Sequence, residues 1–300
     1  MFNNFKKISE KLKSKFFFNY NISNCTWFRA GGGVDLFCIV LNESELEIIL
    51  NEIKNLPIFV IGAGSNLLVR DGGFRGLIIK LGKSFNTLKI KENLIQAGAS
   101  ILDPNLSNYA YKNSVQGLEF FSGIPGSVGG AVKMNAGCFG SETKDVLEEI
   151  SLFTKDGVKK ILKNKEIKFS YRNSNLFDHD IVTSALFKAK LGEEKEIKSK
   201  IKAINSMRKN SQPIKNRTSG STFKNPKKEH ASRLIEKAGC KGLTFGNAIV
   251  STKHSNFFIN LGNATAHDIE TLGKKVQEKV LKKFNILLEW EIKIIGDNAK

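Results

Sequence analysis

The sequence predicts an α+β protein, and three observations support this. Short alternating apolar runs dominate residues 87–190, helical periodicity returns near both ends of the chain, and strands and helices alternate in the first third. The chain has 300 residues, of which 41% are hydrophobic, so it can hold more than one domain with its own core. We therefore predict a mainly antiparallel sheet with helices packed against it.

The chain is predicted to begin with an amphipathic helix. Phe5, Ile8, Leu12 and Phe16 recur at helical spacing among lysines. Such an apolar stripe is typical of a helix that packs on a larger core, and we assign it no chemistry.

A strand–helix–strand unit is predicted next. Residues 34–40 form an apolar run, and Ser44 with Glu47 forms a capping box for the helix that follows. Residues 58–61 and 77–81 are the next predicted strands.

The remaining helices and strands are predicted from the same periodicities. Helices are expected over 104–111, 193–210, 231–238 and 266–284, and the tail over 286–295 alternates like a strand. The other predicted strands lie at 87–90, 94–97, 146–153, 158–162 and 181–191.

The charge balance raises nucleic-acid binding as one hypothesis. Lysine and arginine number 47 against 29 acidic residues, which gives a net charge of +18. The alternative is a lysine-rich solvated surface, which we favour because no nucleic-acid-binding motif is present and the 22 phenylalanines are typical of core packing.

The cysteine pattern and the hydropathy predict a reduced, cytoplasmic protein without a metal site. No C-x-x-C pair, signal peptide or long apolar stretch is found in the sequence. The cysteines are widely spaced, at Cys25, Cys38, Cys138 and Cys240.

Two glycine-rich loops are candidates for binding phosphate. Gly62 and Gly64 follow a predicted strand, and seven further glycines lie within 117–140. Tight turns would explain either loop alone equally well. Leu67 stands where the G-x-G-x-x-G fingerprint needs its third glycine, so a nicotinamide-binding Rossmann fold is disfavoured.

The order and spacing of several motifs resemble the family of UDP-N-acetylenolpyruvoylglucosamine reductases (MurB), and more specifically its shorter, type II members. The similarity runs through almost the whole chain. The motifs are NCTWFRAGG (24–32), GAGSNLLV (62–69), IPGSVGGA (124–131) with MNAG (134–137), YRNS (171–174), GSTFKNP (220–226), STKHSNF (251–257) and LEWEIKIIG (288–296).

This resemblance implies an FAD-binding fold of the vanillyl-alcohol-oxidase type in two subdomains, with a third α+β domain that covers the substrate. The implied boundaries are 1–82, to which 286–300 returns, then 83–205 and 206–285. It also implies that NADPH reduces FAD and that the reduced flavin passes hydride to the enolpyruvyl ether of UDP-N-acetylglucosamine, forming UDP-N-acetylmuramate.

The resemblance implies three catalytic residues. Ser221 would protonate the substrate, Arg172 would pair with the substrate carboxylate, and Glu291 would help to polarise the substrate. Without the resemblance, Ser221 reads as a turn hydroxyl and Glu291 as a surface carboxylate on the same strand face as Glu289.

Binding residues follow from the same motifs. His254 could instead be a packing residue. The implied substrate contacts are Tyr171, Lys224, Asn225, His254 and Asn256. The implied FAD contacts are Arg29, Gly62, Gly64, Ser65, Asn66, Gly123, Ser127, Gly129, Gly130, Asn135 and Gly137.

Two rival functions remain open at this point. An FAD-dependent oxidase of the same fold would give its electrons to oxygen, and a basic nucleic-acid-binding protein would bind DNA or RNA with a steep dependence on salt. The sequence does not fix the oligomeric state, for which we expect a monomer.

Overall fold

The computed structural model of the protein describes residues 8–53 and 56–299. The α-helices are α1 (Glu43–Glu52), α2 (Asp103–Lys112), α3 (Val128–Met134), α4 (Thr143–Val146), α5 (Glu194–Ser211), α6 (Ala231–Lys237) and α7 (Ala266–Phe284). The strands are β1 (Lys15–Asn21), β2 (Gly33–Val40), β3 (Ile58–Ile61), β4 (Leu67–Val69), β5 (Phe74–Leu81), β6 (Leu88–Lys91), β7 (Leu94–Gly98), β8 (Val115–Gln116), β9 (Gly137–Cys138), β10 (Ser141–Glu142), β11 (Leu147–Phe153), β12 (Lys159–Lys163), β13 (Ile181–Lys188), β14 (Lys190–Leu191), β15 (Thr244–Phe245), β16 (Ala248–Val250), β17 (Phe258–Asn260) and β18 (Lys293–Ile295).

The chain divides into two compact units. The first unit comprises Met1–Asn19, Leu36–Ala63 and Gly76–Ser206, and the second comprises Tyr20–Asp35, Gly64–Arg75 and Met207–Lys300. Each unit has its own cluster of buried apolar side chains. The side chains of Phe121 and Phe187 are fully buried in the first, and those of Phe223 and Phe258 in the second, in agreement with the prediction that phenylalanines form the core.

The first unit contains the predicted antiparallel sheet. Its strand order is β12-β11-β13-β7-β6, and its neighbouring strands all pair antiparallel. A second sheet has the order β1-β2-β5-β3, in which β3 and β5 are parallel. Parallel pairing requires a crossover connection, which residues 62–73 provide; this connection contains β4 and no helix.

The second unit is built on short strands and a long helix. β15, β16 and β17 form an antiparallel sheet, α7 contacts β15 and β16, and β18 pairs parallel with β4. Helix α7 begins at Ala266 and ends at Phe284, as predicted, because Thr265 and Asp268 form a capping box and Asn285 adopts a left-handed conformation after the last turn.

The prediction of an N-terminal helix that reaches Phe16 is wrong. Phe5 lies outside the described residues, helical conformation is described only for Ile8 and Ser9, and Phe16 lies in β1. The Glu45 carboxylate accepts the backbone N–H groups of residues 13 and 14 at 3.1 and 2.7 Å, which a continuing helix would need for itself.

Two further boundaries differ from the predictions. Helix α1 begins at Glu43, because Asn42 caps it by accepting the N–H of Glu45 at 2.9 Å, and not at the predicted Ser44 cap. The predicted tail strand shortens to β18, because residues before it bond to other groups: the carbonyl of Leu288, for example, accepts from the Gln277 amide at 2.7 Å.

Lysine-rich α5 matches its prediction. It spans Glu194–Ser211, with Ile197 and Ile204 buried and its lysines exposed. Across the described part of the chain, no helix combines the length and the apolar character that crossing a lipid bilayer requires.

One buried carboxyl affects the stability of the first unit. Asp103 opens α2 and is fully buried, and neither of its carboxyl oxygens has a hydrogen-bond partner among residues 8–53 and 56–299. Burial raises the pKa of Asp103 well above its ordinary value. A helix N-terminus favours a carboxylate, but the loss of hydration outweighs this here.

We expect Asp103→Asn to raise the free energy of unfolding at neutral pH by about 1 kcal/mol or more. The reason is that an ionisable carboxyl group is costly to bury without a partner, and an amide cannot ionise. Because the pKa is raised in the folded state, the contribution of Asp103 to the free energy of unfolding is greatest at pH values below the unfolded-state pKa. This contribution is lost as the pH rises through the folded-state pKa. The stability difference should therefore grow between pH 4 and pH 8. Urea unfolding of both proteins over this range measures it, and parallel pH curves would contradict the assignment.

Candidate active site

A serine hydroxyl of the second glycine-rich loop lies beside Gly62 of the first loop. Ser127 precedes α3, and its Oγ is buried without a hydrogen-bond partner in the part of the chain that the structure describes. A Cβ on Gly62 would collide with this Oγ, and one on Gly130 would lie 3.6 Å from it. Gly62 therefore allows the Ser127 side chain to pack against its backbone.

Other glycines of the second loop are required by packing within the first unit. A Cβ on Gly123 would lie 2.8 Å from Cys138 Sγ, one on Gly129 3.1 Å from the Cβ of Ala99, and one on Gly137 2.5 Å from the carbonyl oxygen of Ser141. These contacts explain the glycines without a ligand, so the tight-turn alternative accounts for part of this loop.

Backbone amides at the start of α3 are already used. The N–H of Val128 donates to the carbonyl of Ile101 at 2.9 Å, and that of Gly129 donates to Ala99 at 3.0 Å. An anion at this loop must therefore rely on other donors, among which the Ser127 hydroxyl is the clearest.

The loop that begins at Gly64 belongs to the second unit. Gly64 has φ +70°, and a Cβ there would collide with the carbonyl oxygen of Cys25. The Asn66 side-chain amide donates to the carbonyl of Glu291 at 3.1 Å, and the N–H of Lys293 donates to the carbonyl of Asn66 at 3.0 Å. This loop is thus bonded directly to the segment that carries Glu291. Ser65 beside it is half-buried.

Arg172 occupies a tight turn of the first unit. Ser170 and Asn173 exchange backbone hydrogen bonds of 3.0 and 3.2 Å, and Arg172 between them has φ +53°. Its Nη2 donates to the carbonyl of Gly137 at 2.8 Å, and its guanidinium carbon lies 4.9 Å from the ring centre of Tyr171, which is exposed. A left-handed residue that is not glycine is strained, and such strain is typical of functional turns.

Ser221 and Glu291 lie on neighbouring extended segments of the second unit. The carbonyl of Thr222, the residue after Ser221, accepts the N–H of Glu291 at 2.8 Å, and Phe223 forms an antiparallel bridge with Trp290. Both Ser221 and Glu291 are half-buried. Gly220 precedes Ser221 with φ +75°, and no described atom lies within 4 Å of the position its Cβ would take.

Asn256 fixes the segment that carries Ser221. Its side-chain Oδ1 accepts the N–H of Phe223 at 3.0 Å, and its Nδ2 donates to the carbonyl of Phe223 at 2.8 Å. The backbone carbonyl of Asn256 also accepts the N–H of Thr222 at 2.8 Å. The side chain is 3% exposed, so it acts first as a structural amide.

His254 is a neutral residue at the edge of this cluster. Burial lowers the pKa of its imidazole, and its ring stands edge-on to Phe257 with 4.6 Å between ring centres. Its Nδ1 is buried and finds no partner within the described ranges. A neutral imidazole can donate or accept a hydrogen bond, but it has no positive charge that would attract an anion.

The remaining predicted residues make local contacts. Lys224 Nζ lies 3.5 Å from Glu289 Oε2, which is largely exposed. Asn225 Oδ1 accepts the N–H of Ala231, the first residue of α6, at 3.0 Å. The guanidinium of Arg29 donates to the carbonyl of Asn24 and is exposed.

The resemblance implies an FAD contact for Asn135, but its side-chain amide is bonded to other protein groups. The sequence reasoning missed one set of polar groups. Four hydroxyls in, or just before, the two motifs that contain Ser221 and His254 are buried and have no described partner; these belong to Thr218, Ser219, Thr222 and Ser255. The density of serine and threonine in both motifs was the available signal, since buried hydroxyls normally find partners.

The chemistry these groups can perform differs between the units. In the first unit a guanidinium and a buried serine hydroxyl that has no described partner are groups that can bind anions. In the second, a half-buried serine hydroxyl and a carboxylate lie on bonded segments, and such a pair can exchange a proton with a ligand.

Comparisons with known proteins give a consistent result. Two family models match the chain, an FAD binding domain over residues 34–161 and the C-terminal domain of UDP-N-acetylenolpyruvoylglucosamine reductase over residues 212–295. The reductases of that name from Rickettsia typhi and Rickettsia rickettsii are 43% and 42% identical to it over 286 residues, which are 95% of this chain and 97% of each relative.

A solved structure agrees with these matches. The crystal structure of UDP-N-acetylenolpyruvylglucosamine reductase from Thermus caldophilus has a TM-score of 0.83 and 36% sequence identity, and the match covers 95% of this chain and 99% of that one. The predicted fold class, α+β with an FAD-binding part and a further C-terminal domain, is confirmed.

Proposed function

Since this chain belongs to the UDP-N-acetylenolpyruvoylglucosamine reductase family and is an oxidoreductase with an FAD-binding domain, we propose that it makes UDP-N-acetylmuramate. The substrate is the enolpyruvyl ether of UDP-N-acetylglucosamine, and the reaction serves peptidoglycan precursor synthesis. When bound, FAD would supply the hydride chemistry that links NADPH to the β carbon of the enolpyruvyl group.

One observation supports the proposal most directly. Ser221 and Glu291 are 70 residues apart in the sequence, yet the Thr222–Glu291 hydrogen bond of 2.8 Å sets their segments side by side. A proton donor and a carboxylate are the side chains that the second half of the reduction requires. Ser221 gives its proton to the α carbon, and Glu291 polarises the substrate.

Arg172 stabilises the charge on the substrate carboxylate. Hydride arrival at the β carbon builds enolate-like charge on the carboxyl group, and a guanidinium interacts with that charge more strongly than with the ground state. Its Nη2 donates to the Gly137 carbonyl, which fixes the position of the guanidinium, and a guanidinium has the planar geometry that a bidentate contact with a carboxylate needs.

The residues present fit FAD. Ser127 Oγ is a buried hydroxyl with no partner among the described residues, and a Cβ on Gly62 would collide with it. We propose that Ser127, Gly62 and Gly130 contact FAD directly, with Gly64, Ser65, Asn66, Arg29, Gly123, Gly129 and Gly137 shaping the two loops around it.

Several finer assignments belong to the same proposal. Substrate contacts are Tyr171, Lys224, Asn225 and His254, with Asn256 holding the segment from Ser221 to Lys224. The FAD-binding subdomains comprise 1–82, to which 286–300 returns, and 83–205, and the substrate domain comprises 206–285. The enzyme acts in the cytoplasm as a monomer.

An absorbance spectrum and a titration test the function. The purified protein should be yellow, NADPH should bleach its flavin bands, and the enolpyruvyl nucleotide sugar should restore them without oxygen. A colourless protein that takes up no FAD would exclude the proposal. Rapid oxygen consumption with a small alcohol, and no turnover of the nucleotide sugar, would favour the oxidase alternative.

Replacing the hydroxyl of Ser127 tests the FAD contact. We expect Ser127→Ala to weaken FAD binding about 3- to 10-fold, the usual effect of one lost hydrogen bond, and to leave the thermal stability of the apoprotein unchanged. The matched control is Ser14→Ala, because Ser14 Oγ already bonds to Glu45 Oε2 and to the N–H of Leu41 within the protein.

The two variants should therefore behave oppositely. Ser14→Ala should lower the melting temperature and keep FAD affinity. Flavin titration and thermal unfolding of the apoproteins provide both numbers. Unchanged FAD affinity in Ser127→Ala would show that its hydroxyl does not contact FAD.

A further inference from the structure

We propose that Asn135 is a positioning residue that holds the turn of Arg172. The inference rests on the proposed function for the role of Arg172 and assigns Asn135 a task different from the FAD contact expected from the sequence. The loop formed by residues 135–137 carries the argument, because it contacts that turn at two points.

The side chain of Asn135 is fully buried and bonded on both sides of its amide. Nδ2 donates to Glu142 Oε2 at 2.9 Å and to the carbonyl of Ser170 at 3.0 Å, and Oδ1 accepts the N–H of Lys144 at 3.0 Å. Both amide hydrogens are therefore used within the protein. A direct side-chain contact with a dinucleotide would require breaking one of these bonds.

Ser170 is the first residue of the turn that presents Arg172. Asn135 fixes the carbonyl of Ser170, and two residues later the carbonyl of Gly137 accepts Arg172 Nη2 at 2.8 Å. The same short loop thus fixes both the backbone at the base of the turn and the guanidinium at its tip. The turn needs such support because Arg172 has a strained φ of +53°.

Asparagine suits this position for two reasons. Residue 135 follows α3 in the left-handed conformation, with φ 42° and ψ 52°, which asparagine and glycine tolerate best. The amide also supplies donors, whereas an aspartate would place an oxygen against Glu142 and the Ser170 carbonyl. Asn135→Gly therefore keeps the backbone conformation and removes only the amide.

Loss of the amide should release the turn without removing Arg172. Misplacing a group that stabilises a transition state by about 1 Å can cost on the order of 10²-fold in rate. We expect Asn135→Gly to slow reoxidation of the reduced flavin by the enolpyruvyl nucleotide sugar about 10- to 100-fold. Reduction of the flavin by NADPH should change less than about 2-fold, because Arg172 has no part in it.

A double-mutant cycle with Arg172→Ala separates positioning from a general loss of structure. In the Arg172→Ala background, Asn135→Gly should slow reoxidation by less than about 3-fold, since no guanidinium remains to be positioned. The matched control is Asn164→Ala, because Asn164 Nδ2 likewise donates to two backbone carbonyls of the first unit, those of Lys144 and Leu147, at 2.6 and 2.7 Å. The control should keep the reoxidation rate of the wild type.

Hydrogen exchange gives a readout that does not depend on catalysis. The N–H of Asn173, which donates to the carbonyl of Ser170, should exchange about 10-fold faster in Asn135→Gly and at the wild-type rate in Asn164→Ala. Equal exchange in both variants, or the same rate loss with and without Arg172, would overturn the inference. A wild-type enzyme that does not turn over the nucleotide sugar would instead overturn the proposed function and leave the exchange result standing.

Discussion

Ser221→Ala should slow reoxidation of the reduced flavin by the enolpyruvyl nucleotide sugar about 10²- to 10⁴-fold, the range expected for loss of a general acid. A serine hydroxyl is a weak acid, so its effect depends on being held in place. The backbone around it is held by the Asn256 side chain, which pairs with both backbone groups of Phe223 at 3.0 and 2.8 Å. Reduction by NADPH should remain nearly intact.

Stopped-flow absorbance of the two half-reactions measures this difference. Ser232→Ala is a matched control, because it removes the same hydroxyl group from helix α6 of the same unit. Ser221→Cys, which retains a proton donor, should recover part of the lost rate. If Ser221→Ala slows both half-reactions equally, the hydroxyl has no specific role as proton donor.

Arg172→Ala should slow the same half-reaction about 10²- to 10³-fold, which is the usual cost of removing one donor from developing charge. Alanine changes no backbone requirement in the folded turn, because arginine already occupies the left-handed conformation there, with φ +53°. Arg172→Lys should be only partly active, since a lysine cannot form the two parallel hydrogen bonds of a guanidinium.

Arg233→Ala controls for the loss of one positive charge. Arg233 is largely exposed, and its partner Glu229 lies 3.8 Å away. We expect this variant to have the same rates of both half-reactions as the wild type and the same KM for the nucleotide sugar. A similar loss in Arg233→Ala and Arg172→Ala would indicate a diffuse effect of net charge and remove the specific role of Arg172.

Much of the fold could be predicted because its signals are local. Helix α7 has capping residues at both ends and a clear apolar stripe, and its predicted bounds, Ala266–Phe284, hold. The strands of the antiparallel sheet carry alternating patterns that need no knowledge of their partners. The prediction of the first helix was wrong because the carboxylate of Glu45, which is distant in the sequence, accepts hydrogen bonds from the backbone N–H groups of residues 13 and 14.

For the candidate site, the sequence predicts which residue types are present but not which of their atoms are already in contact with the protein. The motifs indicate a serine, an arginine and glycine loops, but a glycine motif alone does not separate Gly62, which packs on the buried Ser127 hydroxyl, from Gly123, which packs on Cys138. That distinction depends on which atoms face each missing Cβ, and those atoms come from distant parts of the chain.

The sequence by itself determined the α+β class, the order of the elements, the family and the catalytic candidates, because periodicity, capping and motif spacing are properties of neighbouring residues. The tertiary structure decided which polar groups are already satisfied. Asn135 and Asn256 are bonded to backbone groups far along the chain, whereas Ser127 and Asp103 are buried without described partners. A buried polar group stabilises the protein when a hydrogen-bond partner lies beside it and destabilises the protein when none does. Folding brings such partners together from distant parts of the chain.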